Sequence, residues 1–176
     1  MIVFKKIKWK NFLSTGNQFL TIDLNKSAST LVIGENGSGK STLLDALCFV
    51  LFNRPFRLIK KEQVVNSINE KDCVVNVDFT IGTKDFKIKR GIKPNFFEIY
   101  CNDILLNQDA SNIDYQKHLE NNILKLIIVF EGPSVGLFDQ KSTNMITFEP
   151  TYLRDRKLVS LMALHTRAGW GIQDFS

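Results

Sequence analysis

An α/β fold, with antiparallel strands laid beside one strand–loop–helix unit, is predicted by three observations. Residues 2–10 and 19–24 alternate apolar and polar side chains, the period of strands with one buried face. A glycine-rich turn around residues 34–39 separates a short apolar run from a stretch with helical spacing. Residues 74–106 alternate again between short turns, as a meander does. A domain of plainly alternating strands and helices would lack those flanking antiparallel runs.

A chain of 176 residues suits one domain able to bury a core without staples. Its 44% hydrophobic and 23% charged content is that of an ordinary folded protein and argues against disorder. The longest apolar candidates, residues 43–52 and 124–130, fall short of a membrane span, so no membrane contact is expected. Met1-Ile2-Val3-Phe4-Lys5-Lys6 lacks the order of a signal peptide. Cys48, Cys73 and Cys101 are odd in number, widely spaced and set in apolar patterns. They read as reduced core thiols of a cytoplasmic protein, not as disulfides or a zinc site. The net charge of +5 permits contact with nucleic acid without demanding it.

Along the chain, Ile2, Phe4, Ile7 and Trp9 stand among lysines, a strand with one polar face. Residues 11–16 break it, and residues 19–24 return beside it as a hairpin. After a polar turn, residues 30–33 form a strand that leads into the glycine-rich turn. The helix beyond carries Leu43, Leu44, Leu47, Val50 and Leu51 as a broad buried stripe, and Asn53-Arg54-Pro55 ends it. Residues 54–72 are polar and basic, with Arg54, Arg57, Lys60 and Lys61. They are either a solvated loop or a surface facing the phosphates of nucleotide or DNA.

Val75, Val77, Phe79 and Ile81 then alternate with polar neighbours up to a Gly82-Thr83 turn, and Phe86 and Ile88 continue the meander. Phe97, Ile99 and Cys101 form a further strand. Asn102-Asp103, both tolerant of positive φ, turn the chain back through residues 104–106. Ser111 opens a helix with Asp114 three positions on, and Tyr115, Leu119 and Ile123 share one face. Residues 127–130 are apolar. Residues 152–168 have the spacing of a short helix, with Leu158, Leu161, Met162 and His165 on one side, so that His165 is a partly buried helix residue.

The glycine-rich turn carries the chemistry. Leu31-Val32-Ile33-Gly34-Glu35-Asn36-Gly37-Ser38-Gly39-Lys40-Ser41-Thr42 contains G-x-x-x-x-G-K-[ST], the phosphate-binding loop, with a strand before it and a helix after it. Glycines let successive N–H groups point at one anion where a Cβ would intrude. The helix beginning near Lys40 adds unpaired N–H groups and its positive dipole end. Residues Gly34, Glu35, Asn36, Gly37, Ser38, Gly39, Lys40, Ser41 and Thr42 are therefore the expected nucleotide site. Lys40 would reach the β- and γ-phosphates, and the Ser41 hydroxyl would be a ligand of Mg²⁺. The cofactors expected are ATP and Mg²⁺.

Several further stretches carry a family resemblance. They are Lys10-Asn11-Phe12-Leu13-Ser14, the loop continued as Leu43-Leu44-Asp45-Ala46-Leu47, Leu51-Phe52-Asn53-Arg54-Pro55-Phe56-Arg57, and Ile88-Lys89-Arg90-Gly91-Ile92-Lys93-Pro94-Asn95. On these, residues 1–126 resemble the N-terminal ATPase segment of the SMC-like, ABC-type ATPases of double-strand-break repair. That family holds the large subunits of nuclease complexes of the SbcC type, and this chain looks most like those of the phage recombination endonucleases. The fold so implied is a P-loop NTPase of ABC/SMC type, the N-terminal half of the head. The resemblance implies that a distant C-terminal half of the head supplies the signature motif and the acidic residues, and that two heads (a homodimer) sandwich ATP. It further implies DNA binding, a partner nuclease subunit, and a bacterial or phage-infected cytoplasm.

Departures from that family pattern are equally visible. The 176 residues contain no Leu-Ser-Gly-Gly signature and no apolar strand ending in Asp-Glu. Leu13 stands where many members carry an arginine. Glu131-Gly132-Pro133-Ser134 follows the apolar run where the family has a metal-binding glutamine, leaving Gln140 as the nearest candidate for Mg²⁺. Residues 127–176 are thus expected to be a divergent lobe or out-of-frame sequence. The function implied is an ATP-binding segment of a DNA repair or recombination ATPase that drives end processing by a partner nuclease, with this chain alone incomplete and nearly inactive. An ATP-gated DNA-binding or dimerisation scaffold without turnover is the alternative. No Asn-Lys-x-Asp supports a GTPase. Lys84, Lys87, Lys89, Arg90 and Lys93 either face DNA or form the wet face of a sheet.

Overall fold

The computed structural model describes residues 2–26, 29–32, 38–57, 59–106, 112–124, 126–131, 134–139, 142–148, 152–154, 157–159 and 162–165. For residues 29–32, 112–113 and from 126 onward it describes the backbone alone. Gly34, Glu35, Asn36, Gly37 and Gln140 lie outside the described residues, as does Ser111.

The hairpin and meander expected from alternation form one antiparallel sheet. Strands β1 (Ile2–Lys10), β2 (Leu20–Asp23), β4 (Cys73–Ile81), β5 (Lys84–Ile92), β6 (Phe96–Cys101) and β7 (Ile104–Leu105) lie in the order β2-β1-β4-β5-β6-β7. The inward residues of β1 are Ile2, Phe4, Ile7 and Trp9, a set whose alternation slips by one between Phe4 and Ile7. A register shift between Phe4 and Lys6 in the β1–β4 pairing absorbs that slip, so a bulge keeps both halves facing the core. Gly82 at φ 60° makes the two-residue turn between β4 and β5. Asn102 and Asp103, at φ 50° and 61°, make the turn between β6 and β7.

Strand β3 (Ser29–Val32) precedes the phosphate loop, and helix α1 (Lys40–Phe52) follows it. α1 lies across β4 and β5. Its expected stripe proves to be the whole circumference, since every residue from position 42 to 51 is buried. Phe49 meets Phe12 with ring centroids 5.6 Å apart, while Phe4, Phe79 and Phe86 form a chain of rings across three strands. α1 ends where Asn53 takes a left-handed conformation at φ 58° and returns its N–H to the Phe49 carbonyl. Pro55 thus lies beyond a stop already made. Helix α2 (Asn112–His118) continues into a π turn (Leu119–Leu124), whose Leu119 and Leu124 close the core.

The remaining strands make a second antiparallel sheet in the order β3-β13-β10-β9-β8, from β8 (Leu126–Glu131), β9 (Ser134–Asp139), β10 (Ser142–Phe148) and β13 (Met162–His165). β11 (Tyr152–Arg154) and β12 (Lys157–Val159) form a separate hairpin. The helix expected over residues 152–168 is therefore wrong, and His165 is a strand residue. Met162↔Val32 through His165↔Ser29 pair β13 with β3, and that ladder of long-range hydrogen bonds outweighs the marginal stability of a short isolated helix.

Candidate nucleotide site

At the start of α1 the backbone is prepared for an anion. Gly39, the residue before the helix, has φ 88°, a left-handed conformation that glycine adopts without strain. No side chain caps the helix there. The first N–H groups of α1 consequently lack the usual side-chain acceptor, and the positive end of the dipole is turned outward. Lys40 is half-buried with its Nζ 3.3 Å from Ser38 Oγ, Ser41 is exposed, and Thr42 is buried with its N–H donating to the Gly39 carbonyl at 3.0 Å.

Gly39, Lys40, Ser41 and Thr42 form one wall of a cleft of about 660 Å³. Leu13 and Ser14, from the loop after β1, line it, as do Arg57 and the segment from Gln63 to Ile68. The wall opposite α1 was expected to be either solvated loop or a phosphate-facing surface. It is a folded unit, with a 3₁₀ turn (Lys61–Val64) stitched to the β1 loop. Leu13 N–H donates to the Val64 carbonyl at 2.6 Å, and the Asn66 N–H to the Asn11 carbonyl at 2.9 Å. The Asn66 amide donates to the Leu13 carbonyl at 2.8 Å, while its oxygen accepts from the N–H groups of Ile68 and Asn69, both at 3.0 Å. Buried Asn11 accepts from the Asn69 amide at 2.8 Å.

Arg57 is fixed from beneath. Asp45, fully buried on α1, accepts from the Arg57 backbone N–H at 2.9 Å and from its Nε at 2.7 Å, and its Oδ2 lies 2.6 Å from a terminal guanidinium nitrogen. The charged fork therefore rests at the cleft with about half its surface open, at 47%. The cleft thus joins an uncapped helix start, two cations and a walled space in which apolar Leu13, Val65 and Ile68 line part of the surface.

Residues 6–148 match the family described as AAA domain. The chain belongs to that family. Exonuclease subunit 2 of Enterobacteria phage T4 is 45% identical over 118 residues, 67% of this chain and 21% of that protein. The protein of the same name from Escherichia phage RB69 is 42% identical over 118 residues, with the same shares of 67% and 21%. The DNA double-strand break repair Rad50 ATPase of Sulfolobus acidocaldarius is 31% identical over 91 residues, 52% of this chain and 10% of that protein. The chain thus spans about a fifth of the length of the phage relatives. Within the AAA-domain family it is an N-terminal segment of the SMC-like ATPases, and the α/β fold with antiparallel strands beside the phosphate-loop strand and helix is the one expected.

In this ATPase segment Gly39, Lys40, Ser41 and Thr42 of the described part of the loop line the cleft, with Thr42 largely buried, while Ser38 is exposed beside it. Among the described residues no group of three His, Cys, Asp or Glu side chains could hold a metal ion. No described helix is long and apolar enough to cross a membrane. Arg90, one of the cations weighed for DNA, is corrected: it is buried. It donates to the Val50 carbonyl at 3.2 Å and to Gln116 Oε1 at 2.5 Å, and lies 3.7 Å from the centre of the Phe97 ring. Burial pushes its guanidinium down to about 9, against the opposing pull of Glu120, so it stays charged at neutral pH. Lys87 and Lys89 pair with Asp103 and Glu98 on the wet face of the sheet. Of the four basic residues weighed between solvent and phosphates, Arg57 is at the cleft, while Asp45 beneath it and Asn66 in the cleft wall were given no role by sequence pattern.

Proposed function

We propose that this chain is the ATP-binding N-terminal lobe of a DNA repair or recombination ATPase, holding Mg-ATP on residues 34–42. The observation that carries this is the uncapped start of α1, with Lys40 and Ser41 at the mouth of a cleft that Arg57 also lines. The N–H groups there suit phosphate oxygens, and the Lys40 ammonium suits the β- and γ-phosphates. Ser41 would hold Mg²⁺ together with the nucleotide's own oxygens. Gln140 is proposed as a second ligand on sequence position alone. The base and ribose would lie towards Leu13, Ser14 and residues 63–68. Lys40→Ala should abolish binding of a fluorescent Mg-ATP analogue; undiminished binding by that variant would refute the site.

The 176 residues hold no Leu-Ser-Gly-Gly and no strand-ending Asp-Glu, so a separate C-terminal half of the head would complete hydrolysis, and a second head would close over the nucleotide. The reading includes coupling to a nuclease subunit that processes DNA ends in the cytoplasm; the nuclease partner is supported by the name of the phage relatives, Exonuclease subunit 2. The scaffold reading, in which ATP gates association without turnover here, is favoured by those same missing motifs. Steady-state phosphate release by the isolated chain separates the two.

We also place the lobe boundary near residue 126, with a divergent or out-of-frame segment beyond. That boundary rests on the sequence, whose family-like stretches all lie before residue 126, while the AAA-domain match runs on to residue 148. The nucleotide sequence after codon 126 tests it. A shifted frame that restores a glutamine-ending strand would show the tail to be out of frame, and a single conserved frame would leave it a divergent lobe.

A further inference from the structure

Most lysines on the outer face of the six-stranded sheet are matched by acids. Lys5 pairs with Asp85, Lys87 with Asp103 and Lys89 with Glu98. Lys6 lies across from Asp23 and Asp78 in the neighbouring strands. Lys8 and Lys10 differ. They face Thr21, Asn76 and Val74 across the ladders, with no acid opposite, and neither enters an ion pair among the described residues. Between them stands Phe19, an aromatic side chain that is 48% exposed. The Lys8 and Lys10 ammonium groups lie 5.7 and 5.5 Å from its ring centre. Neighbouring β2 is an edge of the sheet, so this corner opens to solvent on two sides.

We propose that Phe19, Lys8 and Lys10 form a stacking platform for single-stranded DNA, separate from the nucleotide cleft. The identity of the polymer rests on the proposed role in DNA repair; the place rests on this geometry. Lysines two apart on a strand are spaced about 6.6–6.8 Å, a reach that suits successive phosphates of an extended strand with a base between them. Both ammonium groups lie near the outer limit, about 6 Å, at which a ring face attracts a cation, a weak solvated contact that a base stacked on the ring exceeds. A base therefore displaces the ammonium groups, which turn to the flanking phosphates. An acidic peptide would use the lysines and leave the ring unused.

Anisotropy titrations of the whole chain with a labelled oligothymidylate of about 16 nucleotides, across a salt series, test this. Phe19→Ala should weaken binding about 5- to 150-fold. The double variant Lys8→Gln/Lys10→Gln should lower the slope of log K against log salt by about 1.4, two contacts at about 0.7 each. Ion-paired Lys87→Gln should change neither. Unaltered circular dichroism and unaltered Mg-ATP binding would show that the variants fold and that the cleft is untouched. Binding by the wild type that Phe19→Ala leaves intact would overturn the platform while leaving the ATPase reading standing. Polyglutamate that competes as well as the oligonucleotide, or duplex DNA that loses affinity only with the lysines, would reduce the site to plain charge and also overturn it. Absence of any oligonucleotide binding would overturn it too, and the Lys40→Ala result would then judge the ATPase reading by itself.

Discussion

Asp45 shows how a single buried charge serves the site. A carboxylate inside a fully enclosed helix is costly unless it is paired and hydrogen-bonded, and Arg57 supplies both from a residue just beyond the helix end. Removing Arg57 would strand that carboxylate. The full cost of breaking a buried pair, about 3–5 kcal/mol, is moderated here because Arg57 is half-exposed and its backbone N–H bond survives. Arg57→Ala should therefore lose about 1–3 kcal/mol in urea unfolding and also bind Mg-ATP more weakly. Arg57→Lys, which keeps the charge but not the fork, should fall between. The thiols make an independent prediction at the same scale. Burial pushes Cys48 up to about 12, helped by nearby Asp45 against Arg54, and pushes Cys73 up to about 12 by burial alone. A raised thiol pKa keeps the neutral, unreactive form through neutral and mildly alkaline pH. Cys101 is only half-buried, a departure from the expected core position. An aromatic disulfide reagent at pH 8 should thus titrate one thiol rapidly in the native chain and all three only after unfolding.

The antiparallel sheet was legible because its signals are local. The apolar set Ile2, Phe4, Ile7 and Trp9, the Gly82-Thr83 and Asn102-Asp103 turns, and the alternation of Val75, Val77 and Phe79 each state a strand, a turn or a face within a few residues. What was not legible depends on distant partners. Asn66 looks like loop polarity until it meets the Leu13 carbonyl, 53 residues away in the chain, and β13 exists as a strand because β3 offers it an edge. Arg90 followed the same logic, since a basic residue on an alternating strand suggests solvent until α1 and Gln116 cover it. One contact within the sheet yields a direct test. Gly91 on β5 pairs with Phe96 on β6, and a Cβ at Gly91 would lie 2.1 Å from the Phe96 ring. Gly91→Ala should push that ring off the sheet and destabilise the chain by about 1–3 kcal/mol. Phe96→Ala in the same background should recover part of the loss, which a double-mutant cycle in urea would measure.

At the scale of the molecule, the chain pairs an uncapped helix start bearing Lys40 and Ser41 with a sequence that holds no signature motif and no strand-ending Asp-Glu. Phosphoryl transfer to water needs a metal held beside the phosphates and a positioned water, and losing one pre-set electrostatic group alone costs on the order of 10²–10³ in rate. Lys40, Ser41 and Arg57 can bind and neutralise, but none of them is a carboxylate able to orient that water, and buried Asp45 is committed to Arg57. Binding and turnover should therefore separate experimentally. The isolated chain is expected to bind Mg-ATP, yet to release phosphate at least about 100-fold more slowly than the same chain mixed with a head half carrying the signature and acidic motifs. Lys40→Ala should remove the binding and, in the mixture, the turnover as well. Phosphate-release kinetics on the chain, the mixture and the variant decide the matter. Turnover by the chain alone at the rate of the mixture would mean that its own residues complete the site, and the composite account would fall.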